Sequence, residues 1–157
     1  MTPSARIGEF MKGFEKLAKV GPDGRIYAYL PTPNDKWTIG YGETSGITSQ
    51  TVWTREQAEA NFTARLARLG VSVWSLLAGA KTTQGQFDAM VSLADNIGLD
   101  ALRGSTVLRE HRAGRYERAA AAFALWNRQR NKKTGVLEVL DGLTARRAAE
   151  AAIYRRG

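Results

Sequence analysis

The sequence predicts an α+β fold that is mainly helical and carries a small β-hairpin near its N-terminus. Apolar residues recur at three- and four-residue steps over most of the chain, which indicates amphipathic helices. Thr or Ser stands immediately before several of these stretches, as helix N-caps do. Residues 25–41 depart from this pattern, because they combine aromatic and branched residues with two prolines, a composition typical of short strands and turns.

The first helix is predicted from six apolar residues that share one helical face: Ile7, Phe10, Met11, Phe14, Leu17 and Ala18. Glu15 lies roughly 80° from the direction of Ile7, at the margin of this face. An acid in such a position loses part of its hydration, and a partly dehydrated acid can donate a proton to a leaving group. The turn sequence Gly21-Pro22-Asp23-Gly24 is expected to end the helix.

Two short strands are predicted next, from Arg25 to Tyr29 and from Trp37 to Tyr41. The segment from Leu30 to Lys36 contains two prolines, an asparagine and an aspartate, so it is expected to form the turn between them. A sheet of this size is not stable alone. We therefore expect it to pack against the first helix.

The rest of the chain is predicted to be helical. Thr54 with Gln57, and Thr83 with Gln86, have the spacing of a capping box at a helix start. The first of these helices has the core face Phe62, Leu66, Leu69, Val73, Leu76 and Leu77. The second is expected to end by Gly98. Three further helices are expected: one after Ser105-Thr106, one from Tyr116 to Trp126 and one from Thr144 to Arg155.

Composition excludes several classes of chemistry. A chain of 157 residues with 43% hydrophobic content suits one domain with a core. The absence of cysteine excludes disulfides and thiolate catalysis, and a single histidine, His111, excludes a multi-histidine metal site. His111 lies in an arginine-rich segment and is expected at the surface. No stretch resembles a secretory signal or a membrane span, so we expect a soluble cytoplasmic protein.

The net charge of +8 is confined to the last third of the chain. Residues 1–102 contain ten basic and ten acidic side chains, whereas residues 103–157 contain thirteen and five. Such a surface favours a polyanionic partner: nucleic acid, anionic lipid or an acidic cell-envelope polymer. A loop before Gly135 is expected to hold the densest basic cluster: Arg128, Arg130, Lys132 and Lys133. No aromatic residue is interleaved with this cluster, which argues against nucleic-acid binding by base stacking.

Several short motifs occur in order between about Ile7 and Tyr154. They are Phe14-Glu15-x-Leu17, Tyr29, Trp37-Thr38-Ile39-Gly40-Tyr41-Gly42-x-Thr44, Asn96-x-Gly98, Ser105-Thr106, Trp126 and Gly142-Leu143-x-x-Arg146-Arg147-x-x-Glu150. In this order they resemble the phage-type lysozymes, the bacteriophage T4 lysozyme family. The resemblance implies one lysozyme-like catalytic domain over residues 1–157 with two lobes. The small lobe would cover about 20–53, and the helical lobe about 1–19 and 54–157.

The resemblance also implies an endolysin that hydrolyses the β-1,4 bond between N-acetylmuramic acid and N-acetylglucosamine in peptidoglycan. Glu15 would be the general acid, and Thr38 would position or activate water at the anomeric carbon. One protonated and one ionised carboxyl group flanking the bond suit an oxocarbenium-like transition state. Pro31 and Thr32 occupy the family positions around the second carboxylate. Asp35, the one acid of this turn, either supplies that carboxylate from a rearranged turn or only caps the turn.

Four residues match family positions that contact substrate: Tyr29, Asn96, Arg146 and Arg147. Amide and guanidinium groups there could bind acetamido, lactyl or peptide-stem oxygens. Gly40 and Gly42 permit close backbone approach to a sugar, or a positive φ. Glu43 replaces the histidine usual after the second glycine, and could pair with a basic residue of the other lobe or remain in water.

Partners and location follow from the same resemblance. We expect no cofactor and no metal, a monomer that acts on bacterial peptidoglycan, and electrostatic contact with an anionic envelope. Neither nucleic-acid binding nor stable membrane insertion is expected. The protein would wait in the host cytoplasm and reach the wall once the membrane opens. Three alternatives stay open: a lytic transglycosylase of the same bond, a non-catalytic peptidoglycan-binding relative, and a basic nucleic-acid-binding protein.

Overall fold

The computed structural model describes all 157 residues. Seven α-helices and four short strands follow one another as α1 (Ala5–Glu15), β1 (Ile26–Tyr27), β2 (Val52–Trp53), α2 (Arg55–Leu77), α3 (Gln84–Ile97), α4 (Leu99–Arg103), α5 (Thr106–Arg112), α6 (Tyr116–Ala122), β3 (Arg128–Arg130), β4 (Leu137–Val139) and α7 (Asp141–Arg156). A short 3₁₀ segment covers Phe123–Trp126. The strands form two antiparallel pairs, β1 with β2 and β3 with β4. The predicted α+β, mainly helical fold is confirmed.

The chain divides into two compact units. The first unit contains Met1–Ile7 and Leu69–Gly157, and the second contains Gly8–Arg68. The small lobe predicted at about residues 20–53 lies inside the second unit, which also includes the helical residues on either side of it. None of the helices combines the length and the apolar content that a membrane span requires.

The helix starts confirm both predicted capping boxes. Gln57 N donates to Thr54 Oγ1 at 3.1 Å, and Thr54 N donates to Gln57 Oε1 at 2.8 Å. Thr83 and Gln86 exchange the same two bonds at the start of α3. Ser105 caps α5 by accepting from Leu108 N. These bonds satisfy amide groups that the first turn of a helix leaves without partners, which is why the sequence identifies these boundaries well.

The first helix is shorter than the sequence predicts. It ends at Glu15 rather than at the Gly21–Gly24 turn. The backbone reverses because Lys16 and Lys19 have φ values of +43° and +57°, which a right-handed helix cannot contain. Leu17 and Ala18 therefore lie outside the helix, and Glu15 becomes its last residue.

The predicted N-terminal hairpin is only partly confirmed. Tyr29 and Thr38 form an isolated antiparallel bridge, with N–H···O bonds of 2.9 Å in both directions. The longer pairing instead joins Ile26–Tyr27 to Val52–Trp53, a segment that the sequence analysis left unassigned. Ile26 is fully buried in this arrangement, so burial of its side chain favours the more distant partner strand.

The basic segment before Gly135 forms a hairpin, so its prediction as a loop was wrong for Arg128 and Arg130, which lie in a strand, and right for Lys132 and Lys133, which lie in the turn. Strands β3 and β4 pair in the register Arg128 with Val139, Gln129 with Glu138 and Arg130 with Leu137. The turn is closed by Asn131 N donating to Val136 O and by Gly135 N donating to Asn131 O, both at 2.8 Å. The hairpin belongs to the first unit, where α3 packs most extensively against α7, and α5 against α6.

Candidate active site

Glu15 ends α1 beside the glycine turn of the second unit. A Cβ atom added to Gly42 would lie 3.4 Å from Glu15 Oε2, so this carboxyl oxygen packs against the Gly42 backbone. The Glu15 side chain is half-buried rather than enclosed. The unit thus holds an acid at a helix end that is partly dehydrated but still accessible.

Residues 39–43 form a tight turn that requires both of its glycines. Ile39 N donates to Glu43 O at 2.9 Å, and Glu43 N donates back to Ile39 O at 3.0 Å. The φ angles are +64° at Gly40 and +98° at Gly42, in the region that side chains disfavour. A Cβ atom on Gly40 would also meet Glu43 Oε2 and the Trp53 ring at 3.3 Å. The positive φ angles expected from the sequence are therefore present.

Glu43 is paired with Arg65 of α2. The Arg65 Nε atom lies 3.1 Å from Glu43 Oε1, and Arg65 Nη2 donates to the Tyr41 carbonyl at 3.0 Å. Arg65 therefore ties both the side chain and the backbone of the glycine turn to α2. The sequence left open whether Glu43 has a basic partner, and the structure identifies that partner as Arg65. Arg65 stands three residues after the core residue Phe62, a spacing that places the two on one helical face.

A second set of polar contacts anchors the Tyr41 side chain. Tyr41 Oη donates to Glu59 Oε1 at 2.6 Å, and Lys12 Nζ pairs with Glu59 Oε2. The hydrogen bonds from Lys12 and then from Tyr41 lower the pKa of the Glu59 carboxyl. Since Lys12 belongs to α1 and Glu59 to α2, this network helps to fix the helix that carries Glu15.

Thr38 donates a hydrogen bond within the turn through its hydroxyl group. Its Oγ1 donates to the Lys36 carbonyl at 3.0 Å, and its backbone is bridged to Tyr29. The residue is buried apart from 8% of its surface. A hydroxyl that donates to a carbonyl keeps its lone pairs as acceptors. Tyr29 itself is half-buried, with Lys19 Nζ 5.8 Å from its ring centroid.

Asp35 closes the turn that precedes Thr38. Its backbone N–H donates to Thr32 O at 3.0 Å, and its Oδ2 accepts from the Thr32 hydroxyl at 2.8 Å. The side chain is half-buried. Asp35 therefore does hold the turn, which is one of the two roles expected for it. Glu15, Tyr29, Asp35 and Thr38 all belong to the second unit.

Asn96 belongs to the first unit, where it borders an open pocket of about 360 Å³. The pocket is also lined by Ile97, Trp126, Arg128, Gln129 and Leu143. An indole ring together with amide and guanidinium donors suits a polar ligand that has some apolar surface. The pocket places Trp126 and Gln129 beside Asn96, and the substrate-binding role of Asn96 stays a prediction.

Arg146 and Arg147 lie in the core of the first unit, with 4% and 1% of their surfaces exposed. Arg146 Nε is 3.1 Å from Glu150 Oε1, and Arg147 Nε is 2.8 Å from Glu150 Oε2. Ser92 Oγ donates to the same carboxylate at 2.6 Å. Burial to this degree argues against contact with a substrate and favours a structural role for the pair.

His111 is fully buried, so its expected place at the surface was wrong. One ring nitrogen lies 2.6 Å from Tyr154 Oη and the other 2.8 Å from Thr82 Oγ1. Burial lowers the pKa of His111 to about 4. The available signal was its spacing of four and three residues from Val107 and Leu108, which continues their buried helical face.

Solved structures with this fold define the class of protein. The muramidase domain of SpmX from Asticaccaulis excentricus superposes with a TM-score of 0.83 and 34% identity, over 96% of this chain and 95% of that one. P22 lysozyme, as a variant, gives a TM-score of 0.76 and 30% identity over 99% of both chains. The fold is therefore that of the lysozymes, which are glycoside hydrolases.

The family follows from the sequence comparison. The family model for phage lysozyme matches residues 23–150, and the chain belongs to this family. It is a lysozyme-type glycoside hydrolase domain that acts on peptidoglycan. The endolysin of Acyrthosiphon pisum secondary endosymbiont phage 1 is 37% identical, over 76% of this chain and 80% of its own length. The endolysin of Bacillus phage PZA is also 37% identical, over 94% of this chain, but the chain spans only 52% of that relative.

Proposed function

We propose that this domain hydrolyses the β-1,4 bond between N-acetylmuramic acid and N-acetylglucosamine, with Glu15 as the general acid. The observation that carries the proposal is the Glu15 carboxyl against Gly42, in the same compact unit as Thr38 and Asp35. A proton donor must reach the glycosidic oxygen. Gly42 adds no side chain of its own beside the Glu15 carboxyl, at a point where an added Cβ atom would also lie 3.9 Å from Arg65 Nη1, so the turn backbone can lie close to a bound sugar.

Thr38 would orient the attacking water. Because its hydroxyl proton is given to the Lys36 carbonyl, its lone pairs can accept a hydrogen bond from a water O–H group. The water oxygen then keeps a lone pair for the anomeric carbon as the bond to the leaving oxygen breaks. Positioning of this kind lowers the entropic part of the barrier.

Asp35 is our candidate for the second carboxylate of the reaction. An ionised carboxyl stabilises positive charge that develops at the anomeric carbon and can take a proton from the attacking water. The bond from Thr32 orders its carboxyl in the turn that leads to Thr38. If Asp35 serves only this turn, Thr38 acts with Glu15 alone.

The test is release of reducing ends from purified peptidoglycan, with products resolved by mass. The enzymes compared are wild type, Glu15→Gln and Asp35→Asn, with Glu56→Gln as a matched control at an exposed position of α2. Hydrated reducing ends from wild type and Glu56→Gln, and loss of them in Glu15→Gln, would support the proposal. The Asp35→Asn rate shows whether a second carboxylate is used.

The same assay separates the alternatives. Products lighter by one water, with a 1,6-anhydro end, would indicate a lytic transglycosylase instead. Binding to peptidoglycan without release of ends by wild type would indicate a non-catalytic module. For Thr38, the Ser variant should retain most of the rate because it keeps the hydroxyl, whereas the Val variant should lose at least about tenfold.

We further propose that the protein acts as an endolysin, held in the host cytoplasm until the membrane opens and then acting on the wall as a monomer. The endolysins of several phages among its relatives support this role. The thirteen basic side chains of residues 103–157 favour contact with the anionic envelope. Expression in a host should cause lysis only when the inner membrane is permeabilised, and Glu15→Gln should abolish that lysis.

A further inference from the structure

The β3–β4 hairpin presents an unusual mixture of side chains on one face. Its register pairs Arg128 with Val139 and Arg130 with Leu137. Directly paired residues point to the same side of a two-stranded sheet, and the next pair along points to the other. One surface, here called the hairpin face, therefore carries Arg128, Arg130, Leu137 and Val139.

The apolar side chains of the hairpin face are exposed. Leu137 and Val139 have 53% and 54% of their surface accessible, and the flanking Val136 and Leu140 are exposed as well. Scattered apolar residues at a surface are normal, but a contiguous group indicates an interaction site. By the same alternation Leu137 and Val139 are neighbours on the hairpin face and form one exposed apolar group, whereas Val136 and Leu140 lie on the side of Glu138, where Leu140 lines a hollow with Gln129 and Glu138.

Basic groups surround these apolar residues. The hairpin tip carries Lys132 and Lys133, in addition to the two arginines of the face. Glu138, the one acid within the strands, pairs with Gln129 and so lies on the opposite side. Asn131 Nδ2 donates to both of its carboxylate oxygens, at 3.1 and 3.2 Å. The hairpin face thus keeps its positive charge.

The tip of the hairpin is ordered by its own hydrogen bonds. Asn131 Oδ1 accepts from the backbone N–H groups of Lys133 and Thr134, and Arg130 donates to the Gly135 carbonyl. Gly135 has a φ of +73°, which glycine adopts without strain. The apolar and basic groups are therefore held together in a fixed array.

We propose that the hairpin face docks on an anionic lipid bilayer. The basic groups would contact lipid phosphates, and Leu137 and Val139 would enter the interface between headgroups and acyl chains. A water-soluble polyanion would bind only through the charged side chains, whereas a bilayer would also bury the apolar ones. The hairpin face exposes both kinds of side chain. The hairpin face shares Arg128 with the pocket beside Asn96, but it includes none of the proposed catalytic residues, and its existence does not depend on their roles.

The test is sedimentation with vesicles of phosphatidylglycerol and phosphatidylethanolamine, against vesicles of phosphatidylcholine alone. Wild type should bind the anionic vesicles at least about tenfold more tightly at low salt. The apolar variant is Leu137→Thr/Val139→Thr, which keeps strand propensity. Its matched control is Val71→Thr/Leu125→Thr, at exposed apolar positions outside the hairpin. The apolar variant should lose about tenfold in affinity and its control little.

The charges are tested in the same way. Lys132→Gln/Lys133→Gln should weaken binding to anionic vesicles about tenfold. Arg103→Gln/Arg109→Gln, which removes the same charge from α4 and α5, should have a much smaller effect. Release of reducing ends from purified peptidoglycan should stay at the wild-type rate in all four variants, which separates this proposal from the catalytic one.

Three results would overturn the proposal. Equal binding of wild type to anionic and neutral vesicles would exclude recognition of charge. Loss of binding in the lysine variant but not in the apolar variant would indicate a soluble polyanion as the partner. Equal effects of the hairpin variants and their controls would mean that net charge alone attracts the protein to the vesicles.

Discussion

Glu15 and Glu150 carry the same carboxyl group in opposite surroundings. Glu150 is fully buried in the first unit and is bonded by two guanidinium groups and a serine hydroxyl. Glu15 stands half-buried at the end of α1, with one carboxyl oxygen against the backbone of Gly42. The first environment holds a carboxylate in buried ion pairs that stabilise the fold. The second leaves a carboxyl group within reach of a ligand.

The electrostatics of Glu150 explain why its cluster is structural. Burial raises the pKa of this carboxyl, while Arg147, Ser92 and Arg146 oppose that shift. Burial also lowers the pKa of Arg147, and the Glu150 charge opposes this effect. Each charge is tolerated in the core only because the others are present. Such a carboxylate cannot rotate towards a substrate without breaking its ion pairs with both arginines.

The largest expected effect is on activity, from Glu15→Gln. Loss of a general acid lowers the rate by about 10²–10⁴, and the free energy of unfolding should change by less than about 0.5 kcal/mol, as at a partly exposed site. The measurements are initial rates on peptidoglycan and urea unfolding of the same samples, with Glu56→Gln as control. A rate above about a tenth of wild type would exclude Glu15 as the acid.

Glu150→Gln should lower the free energy of unfolding and leave the rate nearly unchanged, which is the reverse of Glu15→Gln. Removal of the charge takes away the buried carboxylate that Arg146 and Arg147 share, so the free energy of unfolding should fall by about 3–5 kcal/mol. The rate per folded molecule should remain near wild type. Ser92→Ala, which removes the bond from Ser92 Oγ to Glu150 and the long 3.5 Å bond from Arg146 Nη2 to Ser92 Oγ, should cost about 1 kcal/mol. A Glu150→Gln protein that is stable but inactive would contradict the structural role and restore a functional one for this cluster.

His111 extends the comparison to a group that is buried without a counter-ion. Its folded pKa of about 4 is below the unfolded value of 6.5, so the unfolded chain binds the proton more readily between these values. Stability due to the neutral ring is present above pH 6.5 and is lost as the pH falls towards 4, by about 3 kcal/mol. Urea unfolding against pH measures this loss, and His111→Gln should show a shallower dependence in that window. Equal slopes would disprove the assignment.

Local rules allowed much of the fold to be predicted. The Thr54, Thr83 and Ser105 caps depend on residues three positions apart, and all three mark helix starts in the structure. The β1–β2 pairing depends instead on residues far apart in sequence, so no local pattern could identify Val52–Trp53 as the partner strand. The β3–β4 hairpin was missed because its cluster of basic residues was interpreted as solvated loop.

In the candidate site, too, features that depend on local sequence were predicted and contacts between distant residues were not. Glu15 and the positive φ angles of Gly40 and Gly42 were found because helical periodicity and the conformational freedom of glycine are local properties, whereas the turn over residues 39–43 was predicted as the end of a strand. The Glu43–Arg65 pair was not found, because it joins a turn to a helix. Arg146 and Arg147 were assigned to substrate although Glu150 follows at helical spacing, a signal of the pairing that the structure contains.

Changes at the Glu43–Arg65 pair should give the smallest effects. They should alter both the free energy of unfolding and the rate, whereas Glu15→Gln alters mainly the rate and Glu150→Gln mainly the free energy of unfolding. Both side chains are largely buried in the second unit, and Arg65 also holds the Tyr41 carbonyl of the glycine turn. Glu43→Gln should lower the free energy of unfolding by about 1–2 kcal/mol, and Arg65→Met by a similar amount. In a double-mutant cycle the two changes should couple by about 1 kcal/mol. Since the turn lies against Glu15, the rate should also fall, by less than about tenfold.

Additive changes in stability would show that the ion pair contributes nothing. A fall in rate as large as that of Glu15→Gln would mean that Arg65 acts in the chemistry rather than on the turn.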